Sequence, residues 1–182
     1  ATALMAIALY ALDRFLGNFF SRRGWRSEIK YDPAEDRLYL DVRLASARLS
    51  GDDRFLSGLA QSFIVPDRAT ALRFTLVEAA LQDNGAGPVD AFEVALLDAG
   101  DDPLVGTANL TNTDALFNLQ SDGRAFAADR VTVSGLADRN GGLLDTSGPV
   151  DIEIDLTGLA PESVASLFFD LIGFGDAGSR IV

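Results

Sequence analysis

Asp83-Asn84-Gly85-Ala86-Gly87-Pro88-Val89-Asp90 concentrates oxygen ligands and glycines in one short turn. Two carboxylates, an amide oxygen and carbonyls freed by glycine form the donor set of a hard cation. Asp83, Asn84 and Asp90 are therefore candidate calcium ligands. Asp170 and Asp176, on either side of Gly173-Phe174-Gly175, are candidates to complete the same site or to form a second one. The spacing is not that of a twelve-residue EF-hand loop, and the same residue types also make an ordinary turn.

Other oxygen-rich stretches suggest different chemistry. Asn112, Thr113, Asp114, Asn118 and Gln120 form a polar group suited to hydrogen-bonding sugar hydroxyls, and loop polarity is the alternative reading. Trp25, Tyr31 and Tyr39 are candidate stacking surfaces for a pyranose, with Tyr39 outward by strand phase and Trp25 equally suited to a core. The row Asp151, Glu153 and Asp155 has the residue types of a glycosidase, but all three share the polar face of one regular strand, where charge is expected anyway.

Those residues must be carried by strands. Leu38, Leu40, Val42 and Leu44 alternate with Tyr39, Asp41 and Arg43. The same period of two runs through Leu72, Phe74 and Leu76, through Phe92, Val94 and Leu96, and most cleanly through Val150, Ile152, Ile154 and Leu156. Residues 59–65, 116–119, 131–133 and 181–182 read as further strands, and the apolar run at 167–172 as a central strand covered on both sides. Turns fall at 32–36, 50–53, 98–103, 121–123 and 138–142. The expected fold is all-β, a two-sheet antiparallel sandwich of about eight strands over residues 18–182.

Residues 1–17 read differently. Leu4, Ile7, Ala8, Ala11, Leu12, Phe15 and Leu16 recur at helical spacing, which predicts an apolar helix or a docking segment that could join copies into a homo-oligomer. A residual secretion signal is the competing reading, and the stretch is too short to span a bilayer.

Composition narrows the function. Among 182 residues there is no cysteine and no histidine, which excludes disulfides, thiolate or imidazole metal sites and the Ser-His-Asp triad. The net charge of −12 argues against a nucleic-acid partner, whose phosphates would be repelled. The acid is 21 Asp against 6 Glu, so it sits on the side chain that favours turns and chelating loops. Nothing provides a nucleophile with its base, and an enzyme acting on polysaccharide is the least favoured reading.

Ser57-Gly58-Leu59-Ala60-Gln61-Ser62-Phe63-Ile64-Val65-Pro66, then Asp83-Asn84-Gly85 through Phe92-Glu93-Val94-Ala95-Leu96-Leu97-Asp98, then Phe168-Phe169-Asp170-Leu171-Ile172-Gly173-Phe174-Gly175, resemble the jelly-roll domains of large secreted bacterial RTX-type and cadherin-containing adhesins. Those domains are similar in turn to carbohydrate-binding modules of the galactose-binding-like fold. The resemblance covers residues from about 55 to 182. It implies calcium, an extracellular or cell-surface location, and binding to a glycan or surface protein without catalysis. The usual closing Val-Asp-Asn-Val strand and the glycine-aspartate nonapeptide repeats of calcium rolls are not seen in it. A structural subunit, with residues 1–17 docking on a neighbouring copy to build a surface polymer or layer, is the alternative function.

Overall fold

The computed structural model describes residues 25–32, 37–44, 49–50, 57–82, 89–173 and 179–182. The expected N-terminal helix, Asp83, Asn84 and Asp176 lie outside these residues. Every described element is a strand or a turn, so this part of the chain is all-β as expected.

In chain order the strands are β1 (Trp25–Asp32), β2 (Arg37–Leu44), β3 (Leu49–Ser50), β4 (Ser57–Ile64), β5 (Ala69–Leu76), β6 (Ala79–Ala80), β7 (Ala91–Leu97), β8 (Phe117–Gln120), β9 (Arg124–Ala127), β10 (Val131–Val133), β11 (Asn140–Leu143), β12 (Val150–Asp155), β13 (Val164–Ile172) and β14 (Arg180–Ile181). They form a five-stranded sheet in the order β1-β2-β5-β12-β10 and a six-stranded sheet in the order β11-β9-β8-β7-β13-β4. A three-stranded sheet, β3-β14-β6, completes the set. The expected strands from β2 onward are all present. β1, two short strands (β3, β6) and two with weak strand sequences, Arg124-Ala-Phe-Ala and Asn140-Gly-Gly-Leu, bring the total above the expected eight.

Alternation explains how the two large sheets meet. Leu72, Phe74, Ile152 and Ile154 on one sheet, and Phe92, Val94, Phe117, Leu167 and Phe169 on the other, are buried in one core. The Phe74 ring meets the Phe169 ring edge-on across the core, with centroids 5.0 Å apart, and Phe92 stacks beside Phe169 at 6.2 Å. Such pairs add about 0.5–1.5 kcal/mol beyond the area they bury.

Two expectations need correction. The β2–β5 pair is parallel, not antiparallel. Between these strands the chain leaves the five-stranded sheet, adds β3 to the small sheet and β4 to the six-stranded one, and returns in the direction of β2. That excursion supplies the long crossover a parallel pair requires. The apolar run at 167–172 is not covered equally on both sides. Along β13 the residues alternate strictly between buried and more exposed, so Leu167, Phe169 and Leu171 face the core while Phe168, Asp170 and Ile172 stand on the outer face. The run looks uniform in sequence because Phe168 and Ile172 are apolar on a half-covered face.

If Phe169 couples the two sheets, Phe169→Ala will cost about 3–5 kcal/mol. Urea unfolding midpoints measure this, and a loss below about 1 kcal/mol would place the coupling elsewhere.

Candidate functional site on the outer face of the six-stranded sheet

The register of the six-stranded sheet draws a row of residues across its outer face. Gly58 on β4 pairs with Asp170 on β13, Asp170 with Glu93 on β7, Glu93 with Asn118 on β8, and Asn118 with Phe126 on β9. Phe126 in turn pairs with Asn140 on β11. Each residue is out of phase with the core residues beside it, so the row is the part of the sheet that faces away from the interior.

The centre of the row is anionic. Both carboxylate oxygens of Glu93 are engaged: Asn118 Nδ2 donates to Oε1 at 2.8 Å and Thr113 Oγ1 donates to Oε2 at 3.0 Å. Thr113 also accepts from the Ala115 amide at 3.1 Å, which holds the loop before β8 over the strand. Asp170 is half-buried and, among the described residues, has no hydrogen-bond or ion-pair partner. Burial first, then the negative charges of Glu93 and Asp114, push its carboxyl above the usual carboxylate range.

Asn118 is only 3 % exposed, and among the described residues its Oδ1 has no hydrogen-bond partner. A buried acceptor without a donor costs about 1–3 kcal/mol. The backbone approaches the site closely at Gly58, where a methyl group would sit 2.4 Å from Asp170 Oδ1. At the other end of the row a side chain at Gly141, whose φ is +86°, would meet the Phe126 ring at 3.1 Å.

Of the candidate sugar ligands, Asn118 and Asp114 belong to this patch. Asn112 does not: it is exposed with φ +62°, a left-handed turn position that asparagine tolerates. Gln120 is half-buried and pairs with Ala91, one outward step along the strand from Asn118. Trp25 pairs with Leu44, and Tyr39 with Lys30 and Ala71, in the five-stranded sheet, so neither belongs to the row. Glu93 was missed in sequence. Its signal was a lone acid out of phase with Phe92, Val94 and Leu96, but its partner depends on strand register.

Of the candidate metal ligands, the two that are described, Asp90 and Asp170, face opposite ways. Asp90 is 1 % exposed and shares the strand phase of Phe92 and Val94, opposite to that of Asp170. Its carboxylate accepts from Ser179 Oγ at 2.5 Å, and that oxygen accepts from the Gln82 amide at 2.8 Å. Asp90 O accepts from the Ser121 amide at 2.9 Å. Asp90 thus knots together the chain at 82, 121 and 179. Among the described residues no group of three carboxylates converges closely enough to hold a metal ion.

The acids of β12 are satisfied differently. Asp151 accepts from Thr75 Oγ1 at 2.7 Å, Glu153 pairs with Arg73, and Asp155 lies 3.7 Å from Arg130. Hydrogen bonds from Thr157 hold the Asp155 carboxyl below the usual range. This is the partnered polar face of a strand, as the sequence suggested.

Comparison with protein-family models, with curated proteins and with solved structures finds no match to the chain.

Because folding raises the pKa of Asp170, its favourable contribution is complete below the ordinary carboxylate range and is lost as pH rises through the folded value. Asp170→Asn will therefore stabilise the protein at neutral pH, by about 0.2–1 kcal/mol for relief of a like-charge cross-strand pair. Near pH 3 the gain will vanish. Urea titrations at both pH values check this, and a destabilised variant at neutral pH would contradict the repulsion.

Proposed function

We propose that the chain is a non-enzymatic, secreted jelly-roll module of adhesion or surface assembly, stabilised by calcium, that binds glycan on the outer face of its six-stranded sheet. The observation that carries this reading is the row Asp170, Glu93 and Asn118. It places hydrogen-bond acceptors on three adjacent strands backed by the core, and rigid elements hold a recognition site better than loops do. Half-buried Phe168 and Phe126 flank the acceptors on the same face. Apolar ring surface beside fixed polar groups is the composition of a saccharide-binding surface.

The calcium part of the reading draws on a different place. Gln82 and Asp90 flank residues 83–88 in sequence, Ser179 follows residues 174–178, and the Ser179 hydroxyl accepts from the Gln82 amide and donates to Asp90. The described residues next in sequence to Asp83, Asn84 and Asp176 are thus joined in one hydrogen-bonded group. An all-oxygen ligand set drawn from Asp83, Asn84, Asp90 and Asp176 suits calcium. Asp170, on the opposite face of the sheet, is left to the glycan site.

Thermal melts with calcium and with chelator test the first part. At a calcium concentration about a hundred times Kd the stabilisation will be about 2.7 kcal/mol, a rise of roughly 5–10 °C for a chain of this size. An unchanged melting temperature removes calcium from the reading. A glycan array with the wild-type chain tests the second part, and an array without hits leaves a scaffold only.

A further inference from the structure

We infer that the patch formed by Glu93, Asp170 and Asp114 over Asn118 takes a primary ammonium group, carried by an amino sugar of the bound glycan; this rests on the glycan-binding reading above.

Among the described residues no positive charge acts on Asp170 and no donor reaches it. Asp170 stands directly between Gly58 and Glu93 in the sheet, and the charges acting on it, those of Glu93 and Asp114, are both negative. Glu93 accepts from Thr113 and Asn118, so these two donors are taken up before Asp170. Beneath it lies a second, independent deficit. The Asn118 amide, nine-tenths buried and fastened to Glu93 through Nδ2, keeps Oδ1 without a donor. A neutral sugar would bring hydroxyl donors but would leave the charge uncompensated.

A metal ion brings charge but a different geometry. Calcium draws six to eight oxygens to about 2.3–2.6 Å around one point. Among the described residues no three carboxylates meet that closely. An ammonium directs three separate donors to acceptors that need not converge, and its charge-assisted bonds to carboxylates are about twice as strong as neutral ones. One such group can address Asp170 and Glu93 together, and its third donor, or a water carried with it, can serve Asn118 Oδ1.

The surroundings favour a sugar as the carrier. Phe168 is the outward neighbour of Asp170 along β13, paired with Ala60 and Ala95, and Phe126 follows Asn118 across the sheet. From Phe126 to Asp170 the row crosses four strands, about 14 Å at the usual strand spacing. A broad row with an aromatic ring at each side matches flat rings lying across the strands, whereas a lysine side chain would use one point of it.

Isothermal titration of the full chain with a glucosamine trimer, an N-acetylglucosamine trimer and a lysine-containing tripeptide tests the assignment. The variants are Glu93→Gln, Asp170→Asn and, as a control for the loss of one charge, Asp151→Asn on the other sheet. The glucosamine trimer should bind at least about tenfold more tightly than its acetylated form, and lose about tenfold or more in Glu93→Gln and in Asp170→Asn but not in Asp151→Asn. Circular dichroism melts of the variants confirm that they fold. Equal binding of the two trimers, or undiminished binding in Asp170→Asn, overturns the ammonium assignment and leaves glycan binding standing. Tighter binding of the tripeptide than of the glucosamine trimer overturns the amino sugar as carrier. A wild-type chain that binds neither trimer and gives no array hits overturns both readings.

Discussion

The edge-to-face contact of Phe74 with Phe169 commits much of the rest. A strand alternates its side chains, so fixing Phe169 in the core turns Asp170 outward, and no rotation of β13 can rescue it. Register does the remainder. With Phe169 opposite Val94 and Leu171 opposite Phe92, the position facing Asp170 is Glu93. A slip of β13 by one residue would bury Asp170 and expose Leu167, Phe169 and Leu171, which is far more costly than the repulsion the native register accepts.

The outer faces of the two large sheets show what that repulsion means. On the five-stranded sheet each acid of β12 meets an answering group: Asp151 meets Thr75, Glu153 meets Arg73 and Asp155 meets Thr157 and Arg130. On the six-stranded sheet Asp170 meets Glu93, and the amide beside them ends in an acceptor. Exposed ion pairs contribute little to stability, so the first arrangement is ordinary surface chemistry. The second is an electrostatic imbalance held on rigid strands, and imbalance of that kind is more typical of binding sites than of scaffolding.

Asp90 illustrates the opposite use of the same side chain. Buried and bonded to Ser179, it closes the end of the sheet where residues 82, 121 and 179 come together. Elsewhere aspartate and asparagine serve turns. Asp98 caps the amides of Gly100 and Asp102, while Asp101, Asn109 and Asn112 occupy left-handed backbone positions. The abundance of aspartate thus reflects turn chemistry in several places.

The sequence alone determined the class of fold and most strand positions, because period-two burial and turn residues are local properties. It carried β7 and β12 with nearly their full extents and the C-terminal part of β13, and marked the Ser121-Asp122-Gly123 turn, where Gly123 does adopt a positive φ. It also named Asn118, Asp114 and Asp170 as residues able to bind something. What it could not hold was their grouping. Asp90 and Asp170 read as partners in a chain of letters, yet one faces the interior and the other the outside. Glu93 comes beside Asp170 only through pairing with a strand more than seventy residues later in the chain. The parallel β2–β5 pair and the weak strands β9 and β11 were likewise decided by tertiary pairing, since neither direction nor neighbour is encoded in a strand's own pattern. Strand periodicity is written residue by residue, whereas register is settled only when two distant strands compete for one core.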